Sequence, residues 1–334
     1  MQNNTSISAR IGLWRAARLE RHGVPELWLL KKAKQYFSRS ALYMILFALS
    51  FIFIFPFIYM LVTSVKTNAD LNNVTVNWIP SSIFLKNFKY SYTILNYWIH
   101  FKNTATLTLI GTLGHIASCA FIGYGFARYK LPGKNVIFFV VLLTMIVPIQ
   151  TIIVPSYMIY SNLKWINSYL PILVPTFFGY GLKGPLFIYL FRQFFLGLPK
   201  DLEDAAKIDG CNHITTYFRI IVPIAKSAFL VTLLLSLVWH WNDFYEASIY
   251  ASSFELITLP SKLSLLVRYV ANPDDMYFEA ATLFEAVKRL DREGVINNAV
   301  LMASNLMVMA PVIISFIFLQ KRFMQGIERT GLTE

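Results

Sequence analysis

The residues of this sequence that could do chemistry are few, and none falls into a catalytic pattern. The one Gly-Lys pair in a polar loop, Gly133-Lys134, is followed by Asn135, and Arg128 stands five positions before Gly133. A phosphate-cradling loop needs glycine at the earlier position and serine or threonine after the lysine. There is no HExxH and no GxSxG, and no pair of carboxylates within an apolar stretch is expected to relay protons. What remains is a set of polar groups in apolar runs: Lys183, His115, Asn242 and Asp243. Such groups are expensive at membrane depth and are kept for a reason. Lys183, in Gly181-Leu182-Lys183-Gly184-Pro185, stands roughly 13 Å along a helix from Arg192. It either faces a hydrated passage, caps carbonyls freed where Gly184-Pro185 breaks the helix, or snorkels to the surface. His115 suits a polar contact inside a helix bundle. Asn242 and Asp243 either line a passage or belong, with Trp239 and Trp241, to an interfacial belt.

The most structured polar stretch runs from Leu198 to Pro223. Its spacing predicts two short helices with a turn between them. Asp201 is placed to cap the first, and Glu203 and Asp204 fall in its first turn, where the helix dipole favours acids. Leu202, Ala205, Ala206 and Asp209 recur at three- and four-residue spacing, a face with small side chains in the middle. Gly210 suits the left-handed residue that ends a helix. Asn212 then caps a second helix that stops at Pro223. A small-residue face lets a helix approach a partner closely, so the stretch reads either as a docking element or as an amphipathic connector lying on a membrane.

These groups need elements to hold them, and the composition says which. Of 334 residues, 56% are hydrophobic and 14% charged, against about 25% charged in an average soluble chain. The apolar residues come in six runs, near 41–62, 104–126, 135–159, 169–191, 227–250 and 295–319, each long enough for the about 20 residues that cross a bilayer. The runs are continuous rather than alternating, which predicts an all-α polytopic membrane protein of six transmembrane helices. Prolines within them (Pro56, Pro148, Pro155, Pro175, Pro185, Pro311) predict kinks. With the N-terminus inside, the inner pieces are 1–40, 128–134, 192–226 and 321–334. They hold nineteen of the thirty Lys and Arg but eight of the eighteen acids, the positive-inside pattern. Both termini are thus expected on the cytoplasmic side, and the net charge of +12 reflects topology, with no nucleic acid as partner. The basic extension 1–40 is too long for a cleavable signal. Cys119 and Cys211 have no disulfide or zinc spacing, and no internal repeat is visible. The domain reading is an extension at 1–40, a six-helix unit at 41–320 and a tail at 321–334, with a long outer segment at 252–292 that carries Asn272-Pro273-Asp274-Asp275.

Asp204-Ala205-Ala206, then Gly210, then Ile220-x-Val222-Pro223 resembles the EAA loop of ABC importer permeases, and sits before the fifth of the six runs, as in that family. Asp204 stands where the family usually has Glu, Val222 where it has Leu, and Ser227 where a second proline is frequent. Further stretches resemble the carbohydrate branch, the relatives of the maltose-system permeases. These are Gly123-Tyr124-Gly125-Phe126-Ala127-Arg128-Tyr129 with Pro132-Gly133, the approach from Phe187 to Pro199, Trp241-Asn242-Asp243-Phe244, and the tail from Leu319 to Gly326. The resemblance covers roughly residues 40–330 and implies the transmembrane domain of a type I ABC importer, in the six-span subunit. It implies a coupling helix bearing Glu203, Asp204, Ala205, Ala206, Asp209, Gly210 and Pro223. The implied partners are a second permease, an ATPase dimer, an extracytoplasmic solute-binding protein meeting the outer segment, membrane lipid and a carbohydrate. The implied site is the bacterial cytoplasmic membrane. This chain then carries no cofactor and no enzymatic activity, with ATP and magnesium held by the ATPase. Lys183, Asn242 and Asp243 become candidates for the substrate path, and Lys183, whose nearest acid in sequence is Asp201, predicts a cargo bearing a carboxylate. Importers of peptides or phosphonates share the loop but not the branch-specific stretches. A secondary transporter would leave the loop's spacing to chance.

Overall fold

The computed structural model describes residues 25–73, 75, 78–181, 183–272 and 295–331, with backbone alone at 25–30 and 322–331. Residues 1–24 of the extension, Leu182, residues 273–294 including Pro273, Asp274 and Asp275, and the end of the tail lie outside them. Among the described residues every regular element is helical, in agreement with the all-α expectation.

The chain divides at Tyr59 into two units. The first runs up one helix, α1 (Pro25–Ser64), so the basic extension passes into helix well before residue 40. Every residue from 42 to 59 is exposed, and the mean hydropathy over its apolar window is 2.6. A helix apolar on all sides has lipid or protein as its solvent.

The second unit, Met60–Glu334, is built around α4 (Tyr97–Arg128). Before it come α2 (Asn68–Asn72) and α3 (Lys86–Ile94). After it come α5 (Lys134–Leu143), α6 (Ile149–Asn162), α7 (Leu170–Thr176) and α8 (Gly184–Leu196). The polar stretch supplies α9 (Asp201–Ile208), α10 (His213–Thr216) and α11 (Val222–Ile224). The chain finishes with α12 (Lys226–Asn242), α13 (Tyr245–Tyr250), α14 (Leu259–Ala271) and α15 (Asn298–Gly331).

Among the described residues, three helices are long and apolar enough to cross a membrane by themselves: α1, α4 and α15. The other three expected crossings are interrupted. The third breaks between α5 and α6 before Pro148, because a proline ring pushes the preceding residue out of the helical region. The fourth breaks between α7 and α8, where Gly179, Gly181 and Lys183 all take positive φ. The fifth breaks after Asn242. Pro56, Pro155 and Pro311 by contrast lie inside continuous helices.

The core is a layer of rings and small residues where α4 meets α8: Cys119, Ala120, Tyr124, Phe187, Phe191 and Phe195 are all buried. Gly123 makes this approach close. A Cβ there would stand 2.7 Å from Phe191 Cβ and 3.0 Å from the Arg192 backbone nitrogen, so any larger residue drives the two helices apart.

Candidate functional site

Two groups of residues answer to the sequence reading, and they lie on different parts of the second unit. The first is the stretch from Leu198 to Ala225. Its first helix, α9, begins at Asp201, but Lys200 in front of it is already helical (φ −68°, ψ −26°) and no side chain caps it. The expected Asp201 cap is therefore absent, because a capping side chain needs an extended residue just outside the first turn. The far end follows expectation. Gly210 takes φ +79°, its N–H donates to the Lys207 carbonyl, and Cys211 N–H donates to the Ala206 carbonyl, the paired bonds that close a helix with a left-handed residue. Asn212 Oδ1 accepts from Thr215 N at 2.8 Å and caps α10.

Beyond α10 the chain widens into a π-helical turn, Tyr217–Ile221, immediately before Pro223. Proline has no N–H and its ring clashes with the carbonyl four residues back, here Arg219. The helix does not stop at Pro223 but one residue later, at Ile224, and the chain then bends by 78° into α12.

The face expected to dock is split by the fold. Ala206 is buried (2% exposed) and Leu202 and Glu203 half-buried, while Ala205, Asp209 and Ile208 (87%) are exposed. Leu202 and Ala206, four apart, share the buried face, and Ala205 turns about 100° away. Asp204 is exposed and paired with Lys207 at 2.9 Å; the bond from Lys207 holds its carboxyl below the usual range. Glu203, expected on the docking surface, points instead to Arg128, with Nε and Oε1 2.8 Å apart.

The second group lies along α4 and α12. His115 Nδ1 and His240 Nε2 are 3.0 Å apart, and His115 Nε2 meets the Tyr180 carbonyl at 3.3 Å in the break between α7 and α8. Both imidazoles are buried. Ser236 and Thr112 hydroxyls meet at 3.3 Å one turn away. His115 is thus the polar bundle contact expected of it. His240, its partner, was not singled out by the sequence, although an imidazole in an apolar run was the available signal.

Lys183 is exposed, left-handed (φ +59°) and just ahead of α8, and it makes no side-chain capping bond. Asn242 is exposed and bonds back to the Val238 carbonyl. Asp243 is buried: Oδ1 accepts from Glu246 N at 3.2 Å, and Oδ2 has no partner among the described residues. Glu246, three residues on, is buried as well. The expectation of no carboxylate pair within an apolar stretch is corrected here. Asp243 lies in the break that follows Asn242, and Glu246 sits in the first turn of α13 just beyond it. The structure does not bring Lys183, Asn242 and Asp243 together by any bond among the described residues.

Long apolar helices, interrupted apolar stretches and a buried polar seam define a helical protein of membrane type. The chain belongs to the family of binding-protein-dependent transport system inner membrane components, whose profile matches residues 119–329. It is 31% identical over 297 residues to the arabinooligosaccharides transport system permease protein AraQ of Bacillus subtilis (strain 168), covering 88% of this chain and 95% of that protein. It is 29% identical over 212 residues to the sulfoquinovosyl glycerol transport system permease protein SmoH of Agrobacterium fabrum, covering 64% and 73%. A crystal structure of a bacterial ABC transporter involved in the import of the acidic polysaccharide alginate shares the fold. Its TM-score is 0.69 at 22% identity, over 87% of this chain and 98% of that one.

Proposed function

We propose that this chain is a permease subunit of an ATP-driven importer of oligosaccharides. It lines half of the path and takes up the motion of a cytoplasmic ATPase through α9. The observation that carries the coupling role is the exposed apolar side chain of Ile208 (87%) on a helix otherwise edged with charge, accompanied by Ile214 and Phe218 on the following turns. One exposed apolar side chain is ordinary, but three large ones within eleven residues of a polar stretch are the raw material of an interaction surface. The family supports this reading, since a binding-protein-dependent system pairs its membrane component with an ATPase and an outer solute-binding protein. The carbohydrate cargo is supported by the relatives' names, which include both an arabinose oligosaccharide and an anionic sugar glycoside system. Six crossings with both termini inside fit the charge distribution.

The test is a pair of substitutions on one helix. Ile208→Arg, on the exposed face, is expected to leave insertion and thermal stability within about 0.5 kcal/mol of the parent while abolishing ATPase co-purification and ATP-driven uptake of arabinotriose. Ala206→Arg, on the buried face, is expected to lower thermal stability instead. Full co-purification by the Ile208→Arg protein sinks the docking face. ATPase bound to the parent without uptake of arabinotriose, or of any oligosaccharide in a panel, sinks the cargo.

A further inference from the structure

We propose that Arg128 is the joint that ties α9 to α4, a positioning residue through which displacement of the coupling helix becomes displacement of a membrane helix. This rests on the coupling reading above, and the test below separates the two.

Arg128 closes α4, and its side chain is 5% exposed. Its Nε faces Glu203 Oε1 at 2.8 Å, off the line of an aligned hydrogen bond, so the contact is chiefly ionic. Its Nη2 donates to the Leu198 carbonyl at 2.7 Å. One guanidinium therefore joins three pieces of chain: the end of α4, the strap that leaves α8, and the first turn of α9. A planar fork with fixed donors holds such a junction in one geometry, where an ammonium would pivot.

The position of the pair matters as much as its existence. Glu203 is 14% exposed on its side chain, whereas Lys207 and Asp204, an ion pair within α9 itself, are 54% and 64% exposed. Attraction between charges grows as water is excluded, and an exposed pair along one helix ties that helix to nothing. Arg128 with Glu203 crosses between elements.

Rings make the same junction stiff. Tyr124, one turn back on α4, has its centroid 5.0 Å from Tyr217 in the π-helical turn and 5.5 Å from Phe195 at the end of α8. Tyr129 meets His213 of α10 at 5.6 Å. A packed junction of this kind moves as a body, because close-packed interiors transmit strain instead of absorbing it. The moving body includes α4, which carries Thr112 and His115 into the seam with α12. A push on α9 thus has a continuous path to the middle of the membrane.

The experiment uses the complete transporter in liposomes, with Cys119→Ala and Cys211→Ser removing the native thiols and a single cysteine introduced as Leu113→Cys on the exposed side of α4. Maleimide labelling of that cysteine is expected to change several-fold when ATP and vanadate are added. Glu203→Gln and Arg128→Gln are each expected to keep the ATPase bound and to lose most of that change. The swapped double variant, Arg128→Glu with Glu203→Arg, is expected to recover the larger part of it, short of full recovery because the Leu198 bond is gone. If Arg128→Gln inserts poorly, Glu203→Asp, which keeps the charge but shortens the reach, is expected to show an intermediate loss. A mere brace would lower thermal stability and leave the labelling change intact, and that result overturns the joint. So does an unchanged label in the parent, or loss of ATPase binding on Glu203→Gln alone. A parent that binds no ATPase at all rejects the coupling reading itself.

Discussion

The stretch from Leu198 to Ala225 and the seam between α4 and α12 handle polar groups in opposite ways. In the first, the polar groups that matter have partners. Arg128 meets Glu203, Asn212 caps α10, and the two bonds around Gly210 close α9. In the second, polar groups are buried and several are left over. Thr108 Oγ1, Thr232 Oγ1 and His240 Nδ1, with Asp243 Oδ2 just past the end of α12, have no partner among the described residues. Near water a helix end can be satisfied locally and cheaply, so the stretch is built to hold one shape. Within the apolar bundle a leftover donor or acceptor costs about 1–3 kcal/mol.

The sharpest way to break that contrast is at its best-satisfied point within the seam. His240→Leu leaves His115 Nδ1 buried without its partner and is expected to cost about 1–3 kcal/mol in thermal unfolding of the purified protein. The double variant with His115→Leu is expected to cost little more than the worse single, because the two rings share one bond. Additive losses would mean that the pair is two independent packing residues.

A smaller effect is expected at Lys183. The side chain is exposed and uncapped, so Lys183→Met is expected to change stability by less than about 0.5 kcal/mol while lowering uptake of the native sugar with assembly and basal ATP hydrolysis intact. Normal uptake, or a neutral native cargo, would make the lysine a feature of the break alone.

A pH-dependent effect is expected at Lys262, in the segment expected outside the membrane. Lys262 is fully buried, its ammonium 5.2 Å from the Phe254 ring, and burial holds its pKa down to about 8 from the usual 10.5. Below that pH the folded protein carries the cost of a buried charge. As pH rises through about 8 the folded lysine loses its proton while the unfolded one keeps it, so stability rises with pH until the unfolded group also titrates. The thermal midpoint in detergent is expected to rise on crossing pH 8, and the rise to vanish in Lys262→Met. A flat profile in the parent would show that the charge is compensated in place.

The apolar runs, the placement of Lys and Arg, and the loop with Gly210, Asn212 and Pro223 in register were all present in the chain as written. They are local properties, fixed by composition over about 20 residues or by the conformational needs of single residues. Asn212 caps and Gly210 turns whatever else the chain does. Three decisions belonged to the tertiary structure. Periodicity put Leu202, Ala205, Ala206 and Asp209 on neighbouring positions, but only packing decided that Ala206 goes in and Ile208 stays out. Thr144 to Pro148 are as apolar as their flanks, so hydropathy could not separate one long helix from α5 and α6. Arg128 finds Glu203, and His115 finds His240, across stretches of chain that no local pattern spans. Side-chain spacing along a helix is set by its pitch, whereas which helix faces which is set by the fit of surfaces such as Gly123 against Phe191, and that fit exists only once the chain has folded.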